Sequence, residues 1–380
     1  LAWQAKLAGY GQSSPVIIDR KVFVTSTAGN HKESFFVTAL DLSSGGQLWE
    51  REFSNPTSEE NSSYVSRAAP TPAVDASGVY ALNEGGLLAA LDHSGNLLWK
   101  RDLVAEFGEI KARHGLASSL EQDEQQLFVW IERSDDPYIL SVDKKSGDTK
   151  WKVAGLGATT WGSPRLITVG QQQHLVCSAS GRVVGWDPLQ GHVLWELDNL
   201  ANNTSSTPIP AGEGRFFLGA SDGRGEEADP SNVSSNGLIQ IAARPDGSFA
   251  AEFLWRADKA TCSFGSPLIA AGKVWIVNRS GALYRLDLET GSQESVSRLE
   301  AGSIWASPLH DSQNVLLFGQ QGTTSVVSIT TGSEIGVNSL WESPTQKAGE
   351  PVVSSHIQYA AAASDGFLLI RRGDTLFAIH

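Results

Sequence analysis

Short strand-like runs recur along the whole chain, as in Val22-Phe23-Val24 and Val274-Trp275-Ile276, with Gly and Asp as the punctuation between them. A period of two sends neighbouring side chains to opposite faces of a strand. No segment keeps a 3.6-residue apolar period over several turns, so the chain is expected to be all-β with very little helix.

The runs repeat one pattern eight times: an alternating strand, a turn residue, Gly, then a strand carrying Trp. FFVTALDLSSGGQLWEREF places Asp41, Gly45 and Trp49, and LLAALDHSGNLLWKRDL places Asp92, Gly95 and Trp99 with a turn one residue tighter. YILSVDKKSGDTKWKV follows with Asp143, Gly147 and Trp151, and RVVGWDPLQGHVLWEL with Asp187, Gly191 and Trp195. The later copies are looser. GLIQIAARPDGSFAAEFLW has Ala242 at the turn position and reaches Trp255, ALYRLDLETGSQESVSRL keeps Asp287 and Gly291 but has Ser295 at the Trp position, and SVVSITTGSEIGVNSLW has Thr330 for Asp and reaches Trp341. The last copy, DTLFAIH, stops at His380 before any Trp strand. LAWQAKL, residues 1–7, reads like QLWEREF and LLWKRDL, so Trp3 is expected to fill that place and pair the first strand with the last blade.

The turn positions 41, 92, 143, 187, 242, 287, 330 and 380 lie 43 to 55 residues apart, a period that suits four short strands per blade. A second marker repeats with them, a small residue before Pro at the start of the innermost strand: Ser14-Pro15, Thr71-Pro72, Ser163-Pro164, Thr207-Pro208, Ser266-Pro267 and Ser307-Pro308. Ser118-Ser119 and Ser354-Ser355 stand in the two remaining places. The expected fold is therefore a single domain over residues 1–380, an eight-bladed β-propeller of four-stranded antiparallel blades closed by the N-terminal strand. In each Asp-x-x-x-Gly turn the carboxylate can accept backbone N–H groups just ahead of it, and Gly takes a positive φ without a Cβ clash. The Trp residues are expected to span the gap between neighbouring blades.

Composition narrows the function classes. The chain is 41% hydrophobic and 19% charged, with 38 Gly and 12 Trp, and its net charge of −13 with no Lys/Arg cluster argues against nucleic acid, which needs a basic surface. The longest apolar stretches, such as Tyr359 to Ala363, are far short of the ~20 residues that span a bilayer, so no membrane span is expected. There is no Met and the chain opens in a strand-like segment, from which a leader removed upstream is expected. Cys177 and Cys262 have no metal or redox spacing and read as two buried or half-buried thiols that behave as small hydrophobic residues.

The run Ala-x-Asp-x-x-x-Gly-x-x-x-Trp, present as ALDLSSGGQLW and, apart from its first residue, as SVDKKSGDTKW and GWDPLQGHVLW, resembles the tryptophan-docking motif of propellers built from pyrroloquinoline-quinone (PQQ)-like repeats. The resemblance covers essentially the whole chain. It implies an eight-bladed ring in the periplasm, elsewhere in the cell envelope, or secreted, usually bacterial. One branch of that family comprises quinoprotein dehydrogenases that bind PQQ and Ca²⁺. The other is non-enzymatic and includes outer-membrane assembly lipoproteins of the BamB type and the secreted propellers of planctomycetes. This chain looks like the second branch, because the dehydrogenases carry adjacent cysteines against the cofactor and long insertions around the metal, whereas Cys177 and Cys262 are 85 residues apart and 380 residues over eight blades leave little room for insertions. No cofactor is therefore favoured.

Residues just before each innermost strand are expected to ring one mouth of a central channel: Tyr10, Gln12, Arg67, His114, Trp161, Ser205, Phe264 and Trp305. Trp161 and Trp305 hold the same repeat position and could grip a planar or sugar-like ligand beside Arg67 and His114; the competing reading is that these residues plug the channel. His114 follows Arg113 and could anchor an anion, yet has no matched nucleophile, and the eight His show no metal spacing. The loop Ser221 to Gly237 carries Asp222, Glu226, Glu227 and Asp229 without the order of a calcium loop. That loop and Ser54 to Ser66 are read as surface loops on which a protein partner would be recognised. The expected function is a non-catalytic, monomeric envelope or secreted scaffold that binds a protein. Two alternatives remain: a quinone- or sugar-handling enzyme with its site in the channel, and the extracytoplasmic sensor domain of a larger membrane protein.

Overall fold

The computed structural model describes residues 1–57, 66–112, 114–223, 230–341 and 358–380. The chain is all-β, eight blades of four antiparallel strands in a propeller arrangement, with almost no helix. It divides into two compact units, Leu1–Gly157 with Ser343–His380, and Ala158–Glu342.

The first unit holds four blades. The N-terminal strand β1 (Trp3–Lys6) belongs to blade eight. Blade one is β2 (Val16–Ile18), β3 (Lys21–Ala28), β4 (Ser34–Asp41) and β5 (Gln47–Ser54); blade two is β6 (Ala73–Asp75), β7 (Gly78–Leu82), β8 (Leu87–Leu91) and β9 (Leu97–Asp102). A five-residue helix α1 (Leu103–Phe107), capped by the Asp102 carboxylate, leads to blade three, β10 (Glu121–Gln122), β11 (Gln126–Ile131), β12 (Tyr138–Asp143) and β13 (Thr149–Ala154).

The second unit holds the other four. Blade four is β14 (Arg165–Val169), β15 (Gln172–Ala179), β16 (Arg182–Trp186) and β17 (Val193–Leu197); blade five is β18 (Ile209–Gly212), β19 (Arg215–Leu218), β20 (Gly237–Ala243) and β21 (Phe249–Arg256). Blade six is β22 (Leu268–Ala270), β23 (Lys273–Val277), β24 (Ala282–Asp287) and β25 (Gln293–Arg298), and blade seven is β26 (Leu309–His310), β27 (Asn314–Phe318), β28 (Thr323–Ser328) and β29 (Glu334–Ser339). Blade eight, back in the first unit, is β30 (Ala360–Ser364), β31 (Phe367–Arg372), β32 (Thr375–Ile379) and β1. The expected closure is therefore found: β1 pairs antiparallel with β32, from Trp3 opposite Ala378 to Lys6 opposite Thr375.

The middle strands of blade two are covered on both faces, by blade one and by blade three. Every residue of β7 and β8 is buried, whereas the outermost strand β9 is largely exposed. Such strands read as continuous apolar runs rather than alternating ones. Within each unit the core accordingly lies between successive blades. Tyr80, Leu82 and Leu88 of blade two pack with Leu127, Val129 and Leu140 of blade three, and Val176 and Val183 of blade four pack with Phe216 and Ile239 of blade five.

Trp side chains close these gaps through one recurring contact. Each indole N–H donates to a carbonyl in the turn of the following blade: Trp3 to Leu42 at 2.8 Å, Trp49 to His93 at 3.0 Å, Trp99 to Lys144 at 2.9 Å and Trp255 to Leu288 at 2.9 Å. The rings lie flat on the turn glycines, so that a Cβ on Gly45 would sit 2.5 Å from Trp3 and one on Gly95 2.7 Å from Trp49. At Gly45, with φ of +69°, the turn geometry and the ring both demand glycine. Asp41 sets that turn by accepting from the Ser43 and Ser44 amides at 3.1 and 2.8 Å, and the Ser44 bonds hold its carboxyl below the usual range. Asp92, Asp143, Asp187 and Asp287 accept from the amides ahead of them in the same way.

Other copies depart from the pattern. Trp195 donates instead to His174 of its own blade at 3.0 Å and stacks on Phe216 of blade five, 6.1 Å away. Ser295 pairs across from Arg285, and the Arg285 guanidinium occupies the space over Gly332 where an indole would lie. In blade seven the strand register gives the Trp position to Gly336 rather than Trp341, which lies beyond β29 against Gly322 of its own blade. Trp151 keeps the regular register, opposite Ser141, and is buried and tilted against Phe128 at 6.0 Å. Two turn assignments also move. Ser328 and Arg244, not Thr330 and Ala242, make the turn hydrogen bonds to Gly332 and Gly247, because β20 runs on past Ala242 and Ile329 has already left the β28 ladder. Spacing counted from Trp could not see this.

Candidate interaction site

The segments that enter the innermost strands are tied together by hydroxyls. Thr71 Oγ1 accepts the Ser14 amide and Ser119 Oγ accepts the Thr71 amide, both at 3.0 Å, in the first unit. In the second, Thr207 Oγ1 accepts the Ser163 amide at 3.0 Å and Ser266 Oγ the Thr207 amide at 3.3 Å. The residue at this place is thus small and hydroxylated for a reason, before Pro in three of these acceptors and before Leu120 in the fourth: it satisfies the half-buried N–H of its counterpart one blade earlier. These bonds fix the backbone from which the candidate residues project.

In the first unit the structure brings Tyr10, Gln12 and Arg67 together. The Arg67 guanidinium carbon lies 3.6 Å from the centre of the Tyr10 ring, a cation–π stack. Gln12 and Arg67 exchange hydrogen bonds, the Gln12 amide donating to the Arg67 carbonyl and Gln12 Oε1 accepting the Arg67 amide, each at 3.0 Å. Tyr359 hydrogen-bonds to both Gln12 and Tyr10, and burial raises both phenols above their ordinary values. Sequence reading missed Tyr359 because it sits in a degenerate copy without the Pro marker.

Two buried charged groups hold this cluster in place. Arg371, fully buried, donates to the carbonyls of Gly373 at 3.1 Å, Ser13 at 3.0 Å and Thr25 at 2.6 Å, and to Ser13 Oγ at 2.6 Å. Burial lowers its guanidinium to about 9, still charged at neutral pH. Lys32 and Glu84, both inaccessible, pair at 3.6 Å; Lys32 donates to the Ser66 carbonyl at 2.7 Å and both Glu84 oxygens accept the Ala68 amide at 3.0 and 3.1 Å. They clamp the backbone on either side of Arg67. His114 is exposed at φ of +67°, and its carbonyl accepts the Ser66 amide at 2.8 Å. Arg113 and residues 58–65 lie outside the described residues.

The second unit carries Trp161, Ser205, Phe264 and Trp305, all half-buried. Phe264 and Trp305 meet edge-to-face with ring centres 5.2 Å apart, and the Trp161 amide donates to the Thr204 carbonyl at 2.6 Å. Of the acidic loop, Asp222 lies 3.8 Å from Arg279, while Glu226, Glu227 and Asp229 lie outside the described residues.

The sequence profile of the family described as outer membrane protein assembly factor BamB matches residues 1–130, 33–294 and 139–375, overlapping segments that run through nearly the whole chain. The chain belongs to the BamB family. The BamB of Moranella endobia is 26% identical over 188 residues, 49% of this chain and 44% of its own length, so the alignment covers less than half of that curated relative. The crystal structure of BamB from Moraxella catarrhalis superposes with a TM-score of 0.69 at 12% identity, covering 99% of this chain and 98% of that one. The quinohemoprotein alcohol dehydrogenase of Comamonas testosteroni shares the fold at a TM-score of 0.62 and 13% identity, covering all of this chain and 76% of that one. At such identities the structural likeness concerns the fold alone.

The dehydrogenase likeness raises PQQ and calcium. Cys177 and Cys262 are buried and form no disulfide, and burial pushes the Cys262 thiol up to about 12. Among the described residues no three His, Cys, Asp or Glu side chains come together to hold a metal. Neither a cysteine pair nor an acidic cluster that would hold a calcium-bound quinone is thus present among the described residues. Among the same residues no helix is long and apolar enough to cross a membrane.

Proposed function

We propose that this BamB-family propeller is a non-catalytic scaffold of the cell envelope, acting in outer membrane protein assembly by binding a protein partner through the segments that enter its innermost strands. Family membership supports the process and the location. The observation that carries the mode of action is the Arg67–Tyr10 stack, held by Gln12, Tyr359 and a fully buried ion pair. Arg, Tyr and Trp dominate binding hot spots because a large, pre-ordered side chain loses little entropy on association. Phe264 and Trp305 are the corresponding aromatic pair of the second unit.

The test is a pull-down from solubilised bacterial envelopes with tagged wild type, Arg67→Ala and Trp305→Ala, scored for components of the outer-membrane assembly machinery. Wild type is expected to recover them, and loss of a hot-spot residue to weaken binding by ~2 kcal/mol, about 30-fold. Wild type recovering none, or both folded variants recovering as much as wild type, would defeat the reading.

A further inference from the structure

The contact between blades four and five is built on a histidine that only its neutral form can satisfy. His174, on β15, is buried, and its Nδ1 accepts the Trp195 indole N–H at 3.0 Å. An indole N–H only donates, so Nδ1 must be unprotonated and the proton of the neutral ring resides on Nε2. That Nε2 is itself buried, with no hydrogen-bond partner among the described residues. Phe249 of β21 meets the imidazole edge-to-face with ring centres 4.5 Å apart, while the Trp195 ring stacks on Phe216 of β19. These four rings join the second and outermost strands of blade four to those of blade five.

We propose that His174 is an acid-sensitive latch between blades four and five, released when the imidazole takes a second proton. Protonation turns Nδ1 into a donor facing the donor of Trp195 and leaves a cation among Phe249 and aliphatic side chains. The groups around it offer little relief. Among the described residues Asp187, in the turn after β16, is the charged group acting on His174, but its carboxylate is engaged by the Leu189 and Gln190 amides at 2.7 and 3.1 Å and lies 3.8 Å from exposed His192. From β14, Ile167 lies opposite; on β17, Glu196 turns outward to Arg182 at 2.9 Å; on β21, Glu252 is exposed. Desolvation accordingly lowers the imidazole to about 4, with Asp187 opposing. A neutral buried His contributes stability that is complete above its unfolded value and is lost as pH falls from about 6.5 towards about 4.

The experiment compares full-length wild type, His174→Gln and the surface control His192→Gln by hydrogen exchange at pH 7 and 4.5, corrected for intrinsic rates. Gln can accept from Trp195 through Oε1 but cannot ionise. Wild type and His192→Gln should lose protection in β17 and β21 on the order of 10- to 100-fold at the lower pH, and His174→Gln should not. Equal acid sensitivity in wild type and His174→Gln would overturn the proposal. Should His174→Gln misfold, nitrogen-15 NMR of the wild-type imidazole decides: Nδ1 unprotonated at pH 7, with the Trp195 indole N–H shifting as the ring titrates, upholds the latch, and a protonated Nδ1 at pH 7 overturns it.

Discussion

Replacing Trp3 tests the closure of the last blade. The indole is 8% exposed, lies on Gly45 and belongs to a cluster with Val22, Leu40, Leu42, Leu369 and Leu376. It comes from a strand of four residues and packs on blade one together with Ala5 and the adjoining Leu7. Trp3→Ala removes a buried aromatic side chain, worth ~3–5 kcal/mol, and deprives the buried Leu42 carbonyl of its indole donor, a further ~1 kcal/mol. Trp3→Phe retains most of the apolar contact and loses the N–H, so ~1–2 kcal/mol is expected. Urea unfolding followed by far-ultraviolet circular dichroism gives the totals, and amide exchange at Leu376 to Ala378 shows whether the loss falls on β32, the strand that β1 pairs. A Trp3→Ala loss below ~1 kcal/mol, or Phe and Ala variants of equal stability, would refute the account of this side chain as both filler and donor.

Two further outcomes follow from the same structure. Lys32→Met should cost ~3–5 kcal/mol by taking the Lys32 charge from the buried Glu84 carboxylate, and the double variant with Glu84→Gln should recover much of it in a thermal melt, since most of the loss is the cost of keeping that carboxylate charged in the interior; no recovery would mean the pair does not act as a unit. Thr207→Val leaves the Ser163 amide without its acceptor and should destabilise the second unit by ~1–3 kcal/mol, whereas Thr207→Ser should be nearly neutral, a contrast that chemical denaturation resolves.

Strand content, the number of blades and the pairing of the first segment with the last were legible in the sequence because each rests on local chemistry repeated many times. Short runs of apolar residues make a strand, Asp and Gly make the turn after it, and a Trp strand missing from one end and present at the other has one place to go. The candidate residues were placed near the innermost strands for the same reason, by counting from a marker. Their partners were not legible. Tyr359 falls in a copy without the marker, and Gly332 receives Arg285 in place of an indole. Trp195 reads in sequence like Trp49, yet the chain folds a histidine beneath it. Lys32 and Glu84 are 52 positions apart and look like two surface charges until blades one and two pack over both. A period in the sequence determines what one blade is, since strands and turns are decided by neighbours along the chain. Which side chains of different blades meet, and so which charges are buried and which rings can donate, was decided only when those blades closed on one another.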